Sequence, residues 1–368
     1  MDLNCLEATG TSANGNRKVK SLQSCRTAGE TPQAGAFTAA ALVCTCAGLL
    51  FLRKGLQTGG SSTMGGTSSL HRSLKEDRDK INDAVWELYS PSRPPAVEII
   101  FFHGLQLDDF GDAFWSTWLA SDGSNVIWPK EWLPEKFNDP ARVLSVSYNS
   151  SARQITGQND MYLLGENLVA DIISDPRNIG QNCPVFLVGH CLGGIVLKQF
   201  ILFAQKTKNG IDSRTNKREF DRIDRFLANV RGAFYYGTPH AGSKQIQKLA
   251  ERLPKKGPMI QLMKLLATDT ARINAEFSKQ RGILNVRTFA IAENLPTRTN
   301  GFDGLVAEEG SERLDLDGMY THTADHFAVC KARNRHDATV IGKLATFITE
   351  NSSVQLNTRQ ARLAVELQ

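Results

Sequence analysis

Several things are scarce in this chain, and each scarcity removes a class of function. Charge imbalance is small: 43 Lys and Arg face 38 Asp and Glu, a formal net charge of +5 over 368 residues. Residues 1–60 hold six Lys/Arg and three Asp/Glu, so +3 of the surplus sits there and +2 in the remainder. A body this close to neutral offers no basic face and argues against nucleic-acid binding. The seven cysteines (Cys5, Cys25, Cys44, Cys46, Cys183, Cys191, Cys330) are odd in number and irregularly spaced, with no CxxC pair. That argues against a zinc ribbon and against a secreted disulfide scaffold, and suggests a reducing compartment. No metal-ligand spacing and no internal repeat is visible, so the sequence implies neither metal nor cofactor. Nothing in the pattern specifies an oligomer.

Charge is also missing from one long stretch. Ala34 to Leu52 is an uncharged, mostly apolar run of nineteen residues, closed by Arg53-Lys54. Such a run is just long enough to cross a bilayer as a helix. The expectation is a disordered polar segment (1–33), a membrane anchor (34–54), a flexible Gly/Ser-rich linker (55–75), one catalytic body (76–350) and a short tail (351–368). A cleaved targeting segment or a soluble helix are the alternatives for 34–54.

From residue 85 onward apolar runs of strand length alternate with helical spacing. Strands are expected at Val85–Tyr89, Val97–Phe102, Arg142–Tyr148, Pro184–Val188, Gly232–Tyr236 and Asn285–Ile291. Helices are expected at Met161–Ile173, Ile195–Gln205, 245–280 and Val340–Thr349. The mixed-sign segment Lys206–Arg222 reads as a solvated loop. This alternation predicts an α/β fold: a mostly parallel sheet covered by helices on both faces.

The chemistry is concentrated in Val185-Phe-Leu-Val-Gly-His-Cys-Leu-Gly-Gly-Ile-Val-Leu-Lys198. A buried strand runs through Gly-x-Cys-x-Gly-Gly straight into a helix, the layout of a nucleophile elbow with Cys191 at its apex. Residues two before and two after the nucleophile crowd such a turn, which Gly189 and Gly193 tolerate because they carry no Cβ. The following helix aims its N-terminus at residue 191 and favours negative charge there.

Chain order in such a site is nucleophile, acid, base. Among seven histidines only His322, His326 and His336 come late enough, and His326 opens an apolar run toward the last helix. Glu293 directly follows a strand and fits the acid slot, with Asp303 as the alternative acid and Glu308 and Glu309 as weaker candidates. The oxyanion donors would be the backbone N–H groups of Leu192, after the nucleophile, and Leu105, after the His103-Gly104 strand end. His103 reads as a brace for that loop. Trp115, Trp118, Trp128 and Trp132 read as packing, and Cys183 and Cys330 as inert thiols.

Together Phe101-Phe-His-Gly-Leu105, Ala141-Arg-Val-Leu-Ser-Val-Ser-Tyr148, Gly189-His-Cys-Leu-Gly-Gly194, Tyr236-Gly-Thr-Pro-His-Ala-Gly-Ser243, Glu293-Asn-Leu-Pro-Thr297 and Asp325-His-Phe-Ala-Val-Cys-Lys331 resemble the serine active site-containing, lipase-like α/β-hydrolases. That group is related to the family that deacylates the inositol of GPI anchors. The resemblance covers roughly residues 84–350. It implies a nucleophile, acid and base at Cys191, Glu293 and His326, a lipid or acyl-ester substrate, and an intracellular membrane of the mitochondrion or endoplasmic reticulum.

The departure is Cys191, where that family carries serine. A cysteine elbow resembles that of the dienelactone hydrolases. A thiol ionises more easily than a hydroxyl but is also a better leaving group, so activated esters or thioesters suit it best. The expected activity is therefore acyl hydrolysis or transfer through a Cys-His-acid triad. The alternative is a non-catalytic or redox-sensing scaffold at a membrane.

Overall fold

The computed structural model describes residues 79–105, 112–148, 158–245, 270–299, 302–307 and 316–356. All belong to one compact unit, Leu42–Gln368. The expected anchor and linker, Cys5, Cys25, Cys44 and Cys46, Glu308 and Glu309, and most of the 245–280 stretch lie outside the described residues. No described helix is long and apolar enough to cross a membrane.

The strands are β1 (Asp79–Lys80), β2 (Val85–Tyr89), β3 (Val97–Phe102), β4 (Ala141–Val146), β5 (Val185–His190), β6 (Val230–Tyr236), β7 (Arg287–Glu293), the small hairpin β8 (Thr297–Thr299) and β9 (Phe302–Gly304), and β10 (Gly318–His322). The main sheet runs β1-β2-β4-β3-β5-β6-β7-β10. β1 and β2 pair antiparallel at one edge, and every pairing from β4 to β10 is parallel. This is the strand order of an α/β-hydrolase, and the expected fold class holds.

The longer helices are α1 (Gln158–Ile173), α2 (Leu192–Gly210), α3 (Lys217–Asn229), α4 (Thr270–Leu284) and α5 (Lys343–Glu350). Strand side chains alternate between faces. Ile100, Phe102, Val185 and Leu187 pack with Leu168 and Ile172 of α1, Ile195 and Phe200 of α2 and Phe226 of α3. Ile99, Phe101, Phe186 and Val188 pack on the other face with Trp115, Trp118 and Trp128 and with Leu344 and Phe347 of α5. Three of the four tryptophans are fully buried, and Trp132 packs against the same cluster, so they are core.

Three sequence readings need correction. Lys206–Arg222 is mostly helical: α2 runs on to Gly210 and α3 starts at Lys217. The mixed charges line the solvent side of α3, with Lys217 pairing Asp221 one turn on, while Ile223, Phe226 and Leu227 are buried at helical spacing. Asn285–Ile291 is a strand as expected, β7, but the expected set lacks the strand after it, β10, whose half-exposed residues show no buried run. The closing helix opens as a wide turn over Ala338–Gly342, capped by Asp337, before α5 begins.

The topology positions the site. From β3 the chain moves to β4 on one side, then to β5 on the other side. A crevice opens at the carboxyl ends of strands where connections diverge in this way. Phe102 of β3 lies opposite Gly189 of β5 in register, so the β3 end and the elbow meet at that switch point.

Candidate active site

Cys191 is the junction between β5 and α2. Its backbone stands at φ 52°, ψ −123°, a left-handed conformation that a side-chain-bearing residue adopts only when its surroundings impose it. Two features impose it. Its N–H bonds the Tyr236 carbonyl at 3.0 Å, tying the turn to β6. The flanking glycines let α2 close on the strands: a Cβ on Gly189 would stand 2.6 Å from the Gly194 backbone, and one on Gly193 would collide with the Phe102 and His103 carbonyls. The thiol is therefore held at the apex, 5% exposed.

The other side of the turn is built from β3. A Cβ on Gly104 would lie 3.0 Å from Cys191 Cβ, so the strand end rests against Cys191 and leads into Leu105. Leu192 opens α2, whose first N–H groups have no intrahelical acceptor. His103 braces this end. Its Nδ1 donates to the Gly104 carbonyl at 2.9 Å, and its ring stacks on Tyr148 at 4.1 Å. The Tyr148 hydroxyl donates to the His103 carbonyl. Burial pushes the His103 pKa down to about 4, so it is a neutral strut. Burial, then the neighbouring Cys191 charge, raise the Tyr148 pKa and keep that hydroxyl protonated. Tyr148 was invisible as a site residue in the sequence, because a tyrosine ending a strand carries no motif.

Glu293 is the last residue of β7 rather than the first after it. Its Oε2 accepts from His326 Nδ1 at 2.6 Å, and its Oε1 accepts from the N–H groups of Val306 and Ala307 at 2.7 and 3.0 Å. These bonds give hydrogen-bond partners to a carboxyl group that is only 2% exposed. Asp303, the alternative acid, lies in β9 with its backbone opposite Arg298. The segment that carries it delivers N–H donors to Glu293, and the carboxylate at the His326 ring is that of Glu293. His322 ends β10 opposite Glu293 in register and is half-buried.

His326 is 3% exposed. Since Nδ1 donates to Glu293, the free lone pair is on Nε2, which is buried and has no partner at full hydrogen-bond geometry among the described residues. Burial by itself would lower the His326 pKa. The Glu293 charge, then the charge and hydrogen bonding of Cys191, outweigh it and raise the pKa well above the ordinary value. Cys191 is thus a close neighbour of the imidazole. Gly237, at φ 51°, makes room for the pair: a Cβ there would stand 2.9 Å from Glu293 Oε2 and 3.3 Å from His326 Nδ1.

The other candidates lie apart. His240 is buried against Lys198, whose ammonium donates to its Nδ1 at 2.6 Å. Cys183 and Cys330 are buried thiols whose pKa burial pushes up to about 12. Among the described residues no group of His, Cys, Asp and Glu could hold a metal ion.

No protein-family model matches the chain. It is 26% identical over 302 residues to Protein SERAC1 of Bos taurus, a match covering 74% of this chain and 42% of that protein. The chain thus spans less than half the length of the curated relatives it matches. Among solved structures it resembles the Bacillus licheniformis lipase BlEst2 at 17% identity and a TM-score of 0.45, covering 72% of this chain and 94% of that one. It also resembles the metagenomic carboxyl esterase MGS0156 at 11% identity and a TM-score of 0.40, covering 71% and 80%. What stands independently of these likenesses is the architecture: by its own strand order and elbow the chain has the α/β-hydrolase fold, with a thiol at the apex of the turn.

Proposed function

We propose that this protein is an acyl ester or thioester hydrolase or acyltransferase, with Cys191 as nucleophile, His326 as general base and Glu293 as the orienting acid. One observation carries the reading: the strained Cys191 backbone sets a thiol beside an imidazole whose Nδ1 is 2.6 Å from a buried carboxylate.

The chemistry follows from the protonation states. His326 Nε2 takes the Cys191 proton, and the resulting imidazolium is stabilised by Glu293. The thiolate attacks the acyl carbonyl, and the oxyanion is received by the N–H groups of Leu105 and Leu192, each such donor worth about 2.7–4 kcal/mol. His326 returns its proton to the departing alkoxide or thiolate, leaving an acyl-thioester on Cys191. Water or an acceptor alcohol, deprotonated by His326, then releases the acyl group and restores the thiol. A lipid-like substrate, and a membrane reached through residues 34–52, belong to the same proposal and rest on the resemblance in sequence.

The test combines labelling and turnover. Iodoacetamide applied to the full chain from pH 5 to 9 is expected to modify Cys191 well below pH 8 and at least tenfold faster than Cys183 or Cys330. A panel of short and long acyl esters and thioesters is expected to be turned over by the wild type, thioesters best, and Cys191→Ser to shift the preference toward oxygen esters. Equal labelling of the three thiols, with no turnover by either protein, overturns the proposal in favour of a scaffold.

A further inference from the structure

One buried, chemistry-bearing side chain beside the site has no role in the mechanism above. His190 is the last residue of β5, immediately before Cys191. Its Nε2 lies 3.0 Å from the backbone carbonyl oxygen of His326, and the two rings are 5.2 Å apart at 39°. A carbonyl can only accept, so Nε2 carries the hydrogen. That assigns the lone pair to Nδ1, which is buried and without a partner among the described residues. Nδ1 points to the β3 end, 3.1 Å from where a Cβ on Gly104 would stand.

The ring is therefore a neutral imidazole of fixed tautomer. Burial, then the nearby His326 charge, hold the His190 pKa down at about 3, with Lys331 and His103 acting in the same direction. Its neutrality matters to its neighbour. A second cation this close would oppose the imidazolium that His326 must form.

Among the described residues the base residue is otherwise tethered at two points. Its N–H bonds Thr297 Oγ1 at 3.2 Å, and its Nδ1 bonds Glu293. The bond from His190 is a third tether, and it runs from the nucleophile's own strand. We propose that His190 is a positioning residue: its Nε2–H clasps the His326 carbonyl, so that the nucleophile turn and the base loop are held in one fixed register. This rests on the assignment of Cys191, Glu293 and His326 above, but its test does not need turnover. Whether or not an ester or thioester is cleaved, the imidazole tautomers and the alkylation rate of Cys191 remain readable.

The experiment uses the full chain with ¹⁵N-labelled histidine. In the wild type His190 is expected to show the neutral Nε2–H tautomer throughout pH 5–8. His190→Gln places an amide N–H near the Nε2 position, and is expected to retain most of the Cys191 alkylation rate and the raised His326 titration. His190→Leu, and His190→Asn whose amide is too short, are expected to slow Cys191 alkylation more than tenfold at pH 7 and to lower the His326 pKa, with circular dichroism unchanged. Should the leucine variant not fold, the glutamine and asparagine pair decides alone. A charged His190 or an Nδ1–H tautomer in the wild type overturns the proposal. So does equal alkylation and equal His326 titration in the glutamine and asparagine variants.

Discussion

His326 and His240 are both buried imidazoles beyond the carboxyl end of a strand, and they are electrostatic opposites. His326 meets a carboxylate, Glu293, at 2.6 Å. His240 meets an ammonium, Lys198, also at 2.6 Å. Burial lowers the pKa of each, but Glu293 and Cys191 reverse that effect at His326, whereas Lys198 adds to it at His240. Depth alone does not make a base; the sign of the group at the other ring nitrogen decides. Chain order sets His240 aside as too early in the sequence, and its electrostatics set it aside independently.

The contrast can be broken most severely at the carboxylate. Glu293→Gln keeps the shape but removes the charge, and is expected to cut acyl-enzyme formation by about 10³–10⁴-fold, by analogy with other triads whose acid is made an amide. Stopped-flow acylation with an activated thioester measures it. A loss under tenfold would mean that another carboxylate, Asp303 first, orients the imidazole.

A smaller effect is expected where the pair is accommodated. Gly237→Ala adds a methyl 2.9 Å from Glu293 Oε2 at a backbone φ of 51°. Strain and contact together are expected to cost about 2 kcal/mol or more in urea unfolding. They should also slow Cys191 alkylation, because Glu293 and His326 must part to admit the methyl. Unaltered alkylation with lowered stability would sever that link.

The smallest effect lies in the pH dependence of folding at His240. Its folded pKa is depressed, so between that value and about 6.5 the unfolded chain binds a proton that the native protein does not. Its contribution is full above about pH 6.5 and is lost as pH falls, at up to about 1.4 kcal/mol per pH unit. His240→Gln is expected to flatten that part of the urea-unfolding profile. In imidazole NMR the two rings should titrate apart, His326 taking up its proton at a higher pH than His240.

Most of the architecture was legible in the sequence. Val97–Phe102 and the elbow strand are mostly apolar runs, the mark of strands buried on both faces, and the structure buries all six residues of each, Glu98 and His190 included. β10 was not legible, since Gly318-Met-Tyr-Thr-His322 is an edge strand with half-exposed residues and neither an apolar run nor clean alternation. α3 was hidden because its charges outnumber the three apolar residues it buries. Of the site, Cys191, Glu293 and His326 were reached through spacing and chain order, and the structure brings those three together. Their supports were not reachable. Tyr148, Thr297 and the N–H groups of Val306 and Ala307 act through hydrogen bonds between residues far apart in the chain, and local spacing carries no trace of them.

The glycines around Cys191 bear a consequence for the history of the site. Gly189, Gly193 and Gly194 offer no functional group; they fix where the backbone passes and hence where the Cβ of residue 191 points. The reacting atom is specified separately, by that one side chain. Selection can therefore exchange oxygen for sulfur at the apex without disturbing the frame. The frame carries its own constraint, since any side chain at Gly193 would strike the Phe102 and His103 carbonyls. The path of the turn and the atom presented at its apex are thus set by different residues.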